Sequence, residues 1–268
     1  MAKHKEKKFS IFGMRIGIEY LLGFLLIAFI VGYALTKIAF FGYLTLGILL
    51  VLFLKDVLPS STDKKSVKSS LWELGIALAA ALGLWYGLGF VLQTPTPIDV
   101  VTSCSMLPFL DRGDLIILQG GEVHATTIEI TAPIQLGDFI TKDCKVRDLA
   151  TGNERKDKCI VGLKVDGVPY QFDTAGDVVV YEPQNAFRNT GLIVHRAVLK
   201  LKYKGEYYIL IKGDNNLSPD IFGISSGPAK QEQIKGRTIL RVPWVGYLKL
   251  FLSFQFDEPP NCKYIVEQ

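Results

Sequence analysis

Three long apolar runs at the front of the chain constrain it more than any other feature. Residues 16–35 carry one charge, Glu19, near an end, and residues 38–54 and 74–92 carry none. A helix needs about 20 residues to cross roughly 30 Å of hydrocarbon, and about 17 is the usual lower limit. Core helices of soluble proteins are rarely this uniformly apolar in series, so three transmembrane helices are expected within residues 16–92. They explain a mean hydropathy of +0.27; beyond about residue 95 the composition is that of an ordinary globular domain. A basic tail before an apolar run also suits a cleaved leader. Here the run is too long, and no small-residue cleavage site precedes the second one.

Charge then sets the orientation. The tail, residues 1–15, holds Lys3, Lys5, Lys7, Lys8 and Arg15 against Glu6. The loop near 55–70 holds Lys55, Lys64, Lys65 and Lys68, whereas the turn between the first two runs has Lys37. The positive-inside rule puts tail and loop in the cytoplasm and residues 95–268 outside it. The tail alone accounts for the formal net charge of +4. No basic stripe with interleaved aromatics remains, which argues against a nucleic-acid partner.

All four cysteines, Cys104, Cys144, Cys159 and Cys262, fall in the outward portion. Cys144 and Cys159 flank a polar, turn-rich stretch, KVRDLATGNERKDK, that can fold back as a hairpin. A disulfide is expected there, with two free thiols as the alternative. There is no CxxC pair and the chain has three histidines, so neither a metal site nor a cofactor is expected.

The outer portion reads as strands. Short β-branched runs (IDVVTS, DLIILQ, TTIEIT, DFITK, DVVVYE, LIVHRAVLKLKY, EYYILIK, TILRVP) alternate with Gly-Asp and Lys-Gly turns. A mostly-β domain, barrel or paired sheets, is expected over 95–268. Its clearest hairpin runs from Leu192 to Lys212 with Lys204-Gly205 at the tip, and the stretch near 119–175 reads as an insertion. The closing WVGYLKLFLSFQF fits either an interfacial segment or a final strand.

Three blocks carry chemistry. Ser105 ends a β-branched strand just before Pro108, rigid yet open on one side, although serines at strand ends are usually turn formers. A serine needs a base. His4 lies in the tail and His124 in the insertion, which leaves His195 inside LIVHRAV, where the ordinary reading is a sheet-face histidine. Strand alternation puts Ile193, His195 and Ala197 on one face and Val194 and Arg196 on the other. An imidazole titrating near 6.5 suits removal of a serine proton. The third block, Lys212-Gly213-Asp214-Asn215-Asn216 through Asp220, is a loop whose aspartates can orient a histidine ring; it lacks the spacing of an EF-hand.

Taken in order, these blocks resemble type I signal peptidases of the archaeal and endoplasmic-reticulum branch, across most of residues 95–250. VVTSCSMLPFLDRGDLIIL is similar to the family's Ser-Met-x-Pro block, and GDVVVYEP to its second Gly-Asp block. IVHRAV is similar to the block where this branch has His instead of Lys. IKGDNNLSPD and GRTILRVPWVGYLKL resemble the two closing blocks. The resemblance implies a serine endopeptidase that cuts signal peptides from preproteins after small residues. It implies Ser105 as nucleophile and His195 as general base. Asp220 would be the aspartate most needed and Asp214 a supporting partner, with Ser103 helping the oxyanion hole. Position 104 departs from the family's Gly; Cys104 either packs or pairs with Cys262. Three spans exceed the single one usual in the endoplasmic-reticulum subunit, which favours an archaeal-type plasma membrane. The implied partners are preproteins, the lipid bilayer and the translocation machinery. Ser105 lies 13 residues after Leu92, a leash of at most roughly 43 Å, so the nucleophile works near the membrane face. Other readings are a membrane-anchored binding module and a self-cleaving regulator, and the combination of Ser105, His195 and Asp220 argues against the first.

Overall fold

A computed structural model describes residues 8–11, 14–36, 38–57, 64–184 and 191–267. Expectations for His4, Lys37, most of the basic tail and residues 58–63 of the lysine-rich loop lie outside the described residues.

Two compact units emerge, the first formed by residues up to Leu82 together with Leu248–Glu258. It opens on an antiparallel ribbon, β1 (Lys8–Ile11) and β2 (Met14–Gly17). Three helices follow, α1 (Ile18–Thr36), α2 (Ala39–Val57) and α3 (Lys64–Leu92). Leu71–Leu92 is, among the described residues, the one stretch of helix long and apolar enough to cross a membrane. The apolar cores of the other two are Tyr20–Tyr33 and Ala39–Leu52. Along α3 the large side chains Leu71, Trp72, Leu78, Trp85, Tyr86 and Phe90 are all exposed. Contiguous exposed apolar surface of that size marks a site of protein or membrane contact.

Tyr33 of α1 is fully buried and its hydroxyl donates to the Phe256 carbonyl at 2.7 Å. The rings of Tyr33, Tyr43 and Phe251 lie 4.4–6.3 Å from that of Phe256. Gly42 is required here, because a Cβ would collide with the Phe256 ring. The C-terminal aromatic segment is therefore no final strand: it forms α4 (Tyr247–Leu252). Its buried residues Tyr247, Leu250 and Phe251 recur at the helical interval.

The second unit, Gly83–Tyr247 with Pro259–Gln268, is mostly β, as the alternating runs predict. Its larger sheet comprises β3 (Ile98–Val100), β4 (Leu115–Gln119), β5 (Thr127–Glu129), β9 (Val178–Tyr181), β10 (Ile193–Tyr203), β11 (Glu206–Lys212), β12 (Ala229–Lys230) and β13 (Ile234–Val242). The order is β12-β11-β10-β9-β13-β4-β3, with β5 alongside β10 in parallel. β10 and β11 form the expected hairpin, with Lys204 and Gly205 both at positive φ in its two-residue turn. β9 is buried along its whole length. One of its faces packs with Met106, Leu110, Ile116 and Leu118, and the other with Ala197, Ile209 and Ile211.

The smaller sheet has the order β14-β6-β7-β8, formed by β6 (Phe139–Asp148), β7 (Glu154–Val165), β8 (Val168–Gln171) and β14 (Tyr264–Glu267). The expected insertion near 119–175 thus divides: β5 belongs to the larger sheet, and the separate sheet begins at Phe139. The polar stretch between Cys144 and Cys159 is chiefly strand, turning only over 149–153. Cys144 and Cys159 are joined across this hairpin.

Candidate active site

Four segments of the second unit converge on Ser105. The chain leaves β3 at Val100 and returns to β4 through a loop closed by mutual hydrogen bonds between Val101 and the Gly113-Asp114 turn. Met106 and Leu110 anchor this loop in the core. The Ser105 carbonyl accepts the Asn215 N–H at 2.8 Å. Gly213 lies so close that a Cβ there would sit 2.7 Å from the same carbonyl, which is why glycine opens this block. Asn215 is fully buried; its amide donates to the carbonyls of Cys104 and Tyr264, and its oxygen accepts from Val266 N–H. Cys104 forms a disulfide with Cys262, so the residue before the serine is tied covalently to the C-terminal segment.

His195 Nε2 lies 2.8 Å from Ser105 Oγ, and His195 Nδ1 lies 2.7 Å from Asp220 Oδ2. Ser105, His195 and Asp220 are 8%, 2% and 3% exposed. An ionised carboxylate only accepts hydrogen bonds, so it holds the proton on Nδ1 and leaves Nε2 free to accept the serine hydroxyl. Ser103 Oγ lies 3.1 Å from Ser105 Oγ. Asp214 is elsewhere: both its oxygens take a forked pair from Arg196, at 2.8 and 2.7 Å. Alternation on β10 explains the split, since Arg196 is on the face opposite His195 and its guanidinium lies 4.9 Å over Phe109. His124 sits away from this cluster, its Nδ1 3.1 Å from Asp177 Oδ2.

Several contributors escape a reading of sequence. Tyr181 donates its hydroxyl to Asp220 Oδ2 at 2.7 Å. Burial first, then the Asp220 charge, push that phenol well above the ordinary tyrosine range. Lys212 is buried beside the site, its Nζ 3.3 Å from the Gly213 carbonyl. Burial lowers it to about 8, against the pull of Asp214 and Asp220. The pairing of Val179 with His195 places Tyr181 two residues along the same face; strand register is the signal that finds it. Among the described residues no cluster of His, Cys, Asp and Glu could hold a metal ion.

No family model matches the chain. Among curated proteins it is similar to the signal peptidase complex catalytic subunit sec11 of Neurospora crassa, 26% identical over 199 residues, 74% of this chain and 87% of the relative. The subunit of the same name from Colletotrichum graminicola is 27% identical over the same shares. That of Tuber melanosporum is 27% identical over 193 residues, 70% of this chain and 81% of the relative. These relatives are fungal, which overturns the expected archaeal-type plasma membrane: the number of apolar runs was a poor guide to the compartment. The order of blocks and these likenesses agree: the chain is similar to proteins named as catalytic subunits of the signal peptidase complex, the resemblance that its blocks carry.

Proposed function

We propose that the chain is a membrane-bound serine endopeptidase that removes signal peptides from preproteins, with Ser105 as nucleophile and His195 as general base. The observation that carries this reading is the unbroken line of hydrogen bonds from Ser105 through His195 to Asp220. The base lies within reach of the nucleophile's proton and is itself oriented by a buried carboxylate. His195 takes the Ser105 proton as Oγ attacks the carbonyl at the cut. It then gives that proton to the leaving amine, and water releases the acyl group by the same steps. Ser103 and the Ser105 N–H hold the oxyanion, such a donor being worth about 3 kcal/mol.

The substrate lies against the sheet as an added extended strand, small side chains filling shallow pockets one and three residues before the cut. The three apolar helices anchor the enzyme in the endoplasmic-reticulum membrane, with residues 95–268 on the lumenal side. The exposed apolar surface of α3 and the two disulfides support that placement, since disulfides persist in oxidising compartments. Preproteins delivered by the translocation machinery are the substrates, and companion subunits of a complex are the expected partners.

The test is cleavage of a preprotein by the full chain in detergent, with the new N-terminus sequenced. Wild type should cut after a small residue and His195→Ala should lose at least about 10³-fold in rate. Equal cutting by His195→Ala would sink the assignment of the base.

A further inference from the structure

We propose that Tyr181 is a positioning residue for the reaction, its hydroxyl fixing the one oxygen of Asp220 that orients His195. The inference rests on the function proposed above and adds a fourth member to its hydrogen-bonded line.

The Asp220 side chain is nearly sealed from solvent, and its two oxygens fare differently. Oδ2 receives both His195 Nδ1 and the Tyr181 hydroxyl, each at 2.7 Å. Oδ1 is buried and has no hydrogen-bond partner among the described residues. The backbone of the Asp220–Phe222 turn lends the carboxylate no support, because the N–H groups of Gly223, Ile224 and Ser225 all go to the Asp220 main-chain carbonyl. The angle of the carboxylate therefore depends on two contacts, and one of them is the ring that the carboxylate has to aim. The phenol is the contact independent of that ring.

Tyr181 is built to do this. It is 1% exposed and locked in β9, a strand buried along its whole length, next to the strand that carries His195. No substrate can touch it. A phenol hydroxyl at this depth needs an acceptor, and a carboxylate satisfies it as donor only. The charged and titratable groups facing Asp220 are Tyr181 from β9, His195 from β10 and Lys212 from the end of β11.

The donor also tempers the carboxylate. A hydrogen bond to Oδ2 draws off part of the negative charge that stabilises the imidazolium. Removing it leaves more charge facing His195, so the base stays protonated to higher pH. At the same time a carboxylate held by one bond is free to rotate, and the ring it orients loses aim.

The experiment compares wild type with Tyr181→Phe, Asp220→Asn and the double variant, as full chains in detergent cleaving a preprotein across pH 5–9. Tyr181→Phe keeps the ring that fills the core and deletes the hydroxyl alone. Expected are a kcat about 5–20-fold lower, a KM within about twofold of wild type and an acid limb of the pH–rate profile moved up by roughly half a pH unit. In the Asp220→Asn background, Tyr181→Phe should change kcat by less than about twofold. An unmoved acid limb, or a loss that repeats in full in the Asp220→Asn background, would make Tyr181 a packing residue and overturn the inference. A thermal unfolding scan of each variant separates loss of fold from loss of aim. Absence of cleavage by folded wild type would instead overturn the proposed function, and this inference with it.

Discussion

The two sheets of the second unit are held by different means. In the larger sheet β9 is buried on both faces and β10 is buried over most of its length. The smaller sheet is buried unevenly: at one end Leu163, with Phe139, Val165 and Tyr170, joins the core beside β10 and β11, while towards the β6–β7 turn it hides only a narrow strip around Cys144, Val146, Cys159 and Val266. Its outer positions carry exposed ion pairs such as Lys145–Glu154 and Arg147–Glu154. Such pairs contribute at most about 1 kcal/mol each. The disulfide across the hairpin and the pairing of β14 with β6 do the holding instead. Burial is what fixes His195 and Asp220 within hydrogen-bond distance of their partners; the turn end of the β6–β7 hairpin has no such task and is held by a covalent clip.

That contrast can be broken in order of effect. The larger sheet should separate its two aspartates sharply. Asp220→Asn should cut cleavage by about 10³-fold or more with little change in stability, because it removes the acceptor that sets the histidine tautomer. Asp214→Asn should cost mainly stability, about 3 kcal/mol, since Arg196 is then left buried without its carboxylate. Cleavage rates and denaturant midpoints for the two variants read this directly. The reverse pattern would mean that Asp214 serves the histidine.

In the smaller sheet, Cys144→Ser with Cys159→Ser should remove about 3 kcal/mol, the value for a loop of that length. Hydrogen exchange should quicken in β6 and β7, while β9, β10 and preprotein cleavage stay within about twofold of wild type. Loss of protection in both sheets together would show that they form one cooperative body.

The smallest effect concerns Lys212. Burial holds it at about 8 in the fold, below its ordinary value. The folded state therefore binds fewer protons than the unfolded chain between pH 8 and about 10.4. The cost of burying the charge is present in full below pH 8 and is relieved as pH rises through that window. Relative to Lys212→Met, wild type should gain on the order of 2 kcal/mol between pH 8 and 10.4, read from denaturant midpoints. A flat difference would place the ammonium in contact with water.

Much of this was legible in the chain itself. Alternating β-branched runs gave the strands of the larger sheet, and Lys204-Gly205 gave its tightest turn, because both signals are local. The order of the serine, histidine and aspartate blocks gathered the residues that meet at the site. Long-range partners were not legible. Choosing between Asp214 and Asp220, pairing Cys104 with Cys262 and finding Tyr181 all require strand register, which no local pattern states. The β6–β7 hairpin was legible in part: DFITK and the two cysteines marked it, but its exposed charged residues look like loop where the turn end buries so little, so the length of its strands was missed. At the C-terminus the sequence left an interfacial segment and a final strand open, and the helical spacing of Tyr247, Leu250 and Phe251 excludes the strand.

The most direct test of the account is cleavage of a preprotein by the full chain in detergent, wild type against Ser105→Ala at equal folded concentration. The account predicts cleavage after a small residue by wild type and a loss of at least about 10³-fold in Ser105→Ala. Cleavage by Ser105→Ala at the wild-type rate would contradict it and move the nucleophile elsewhere.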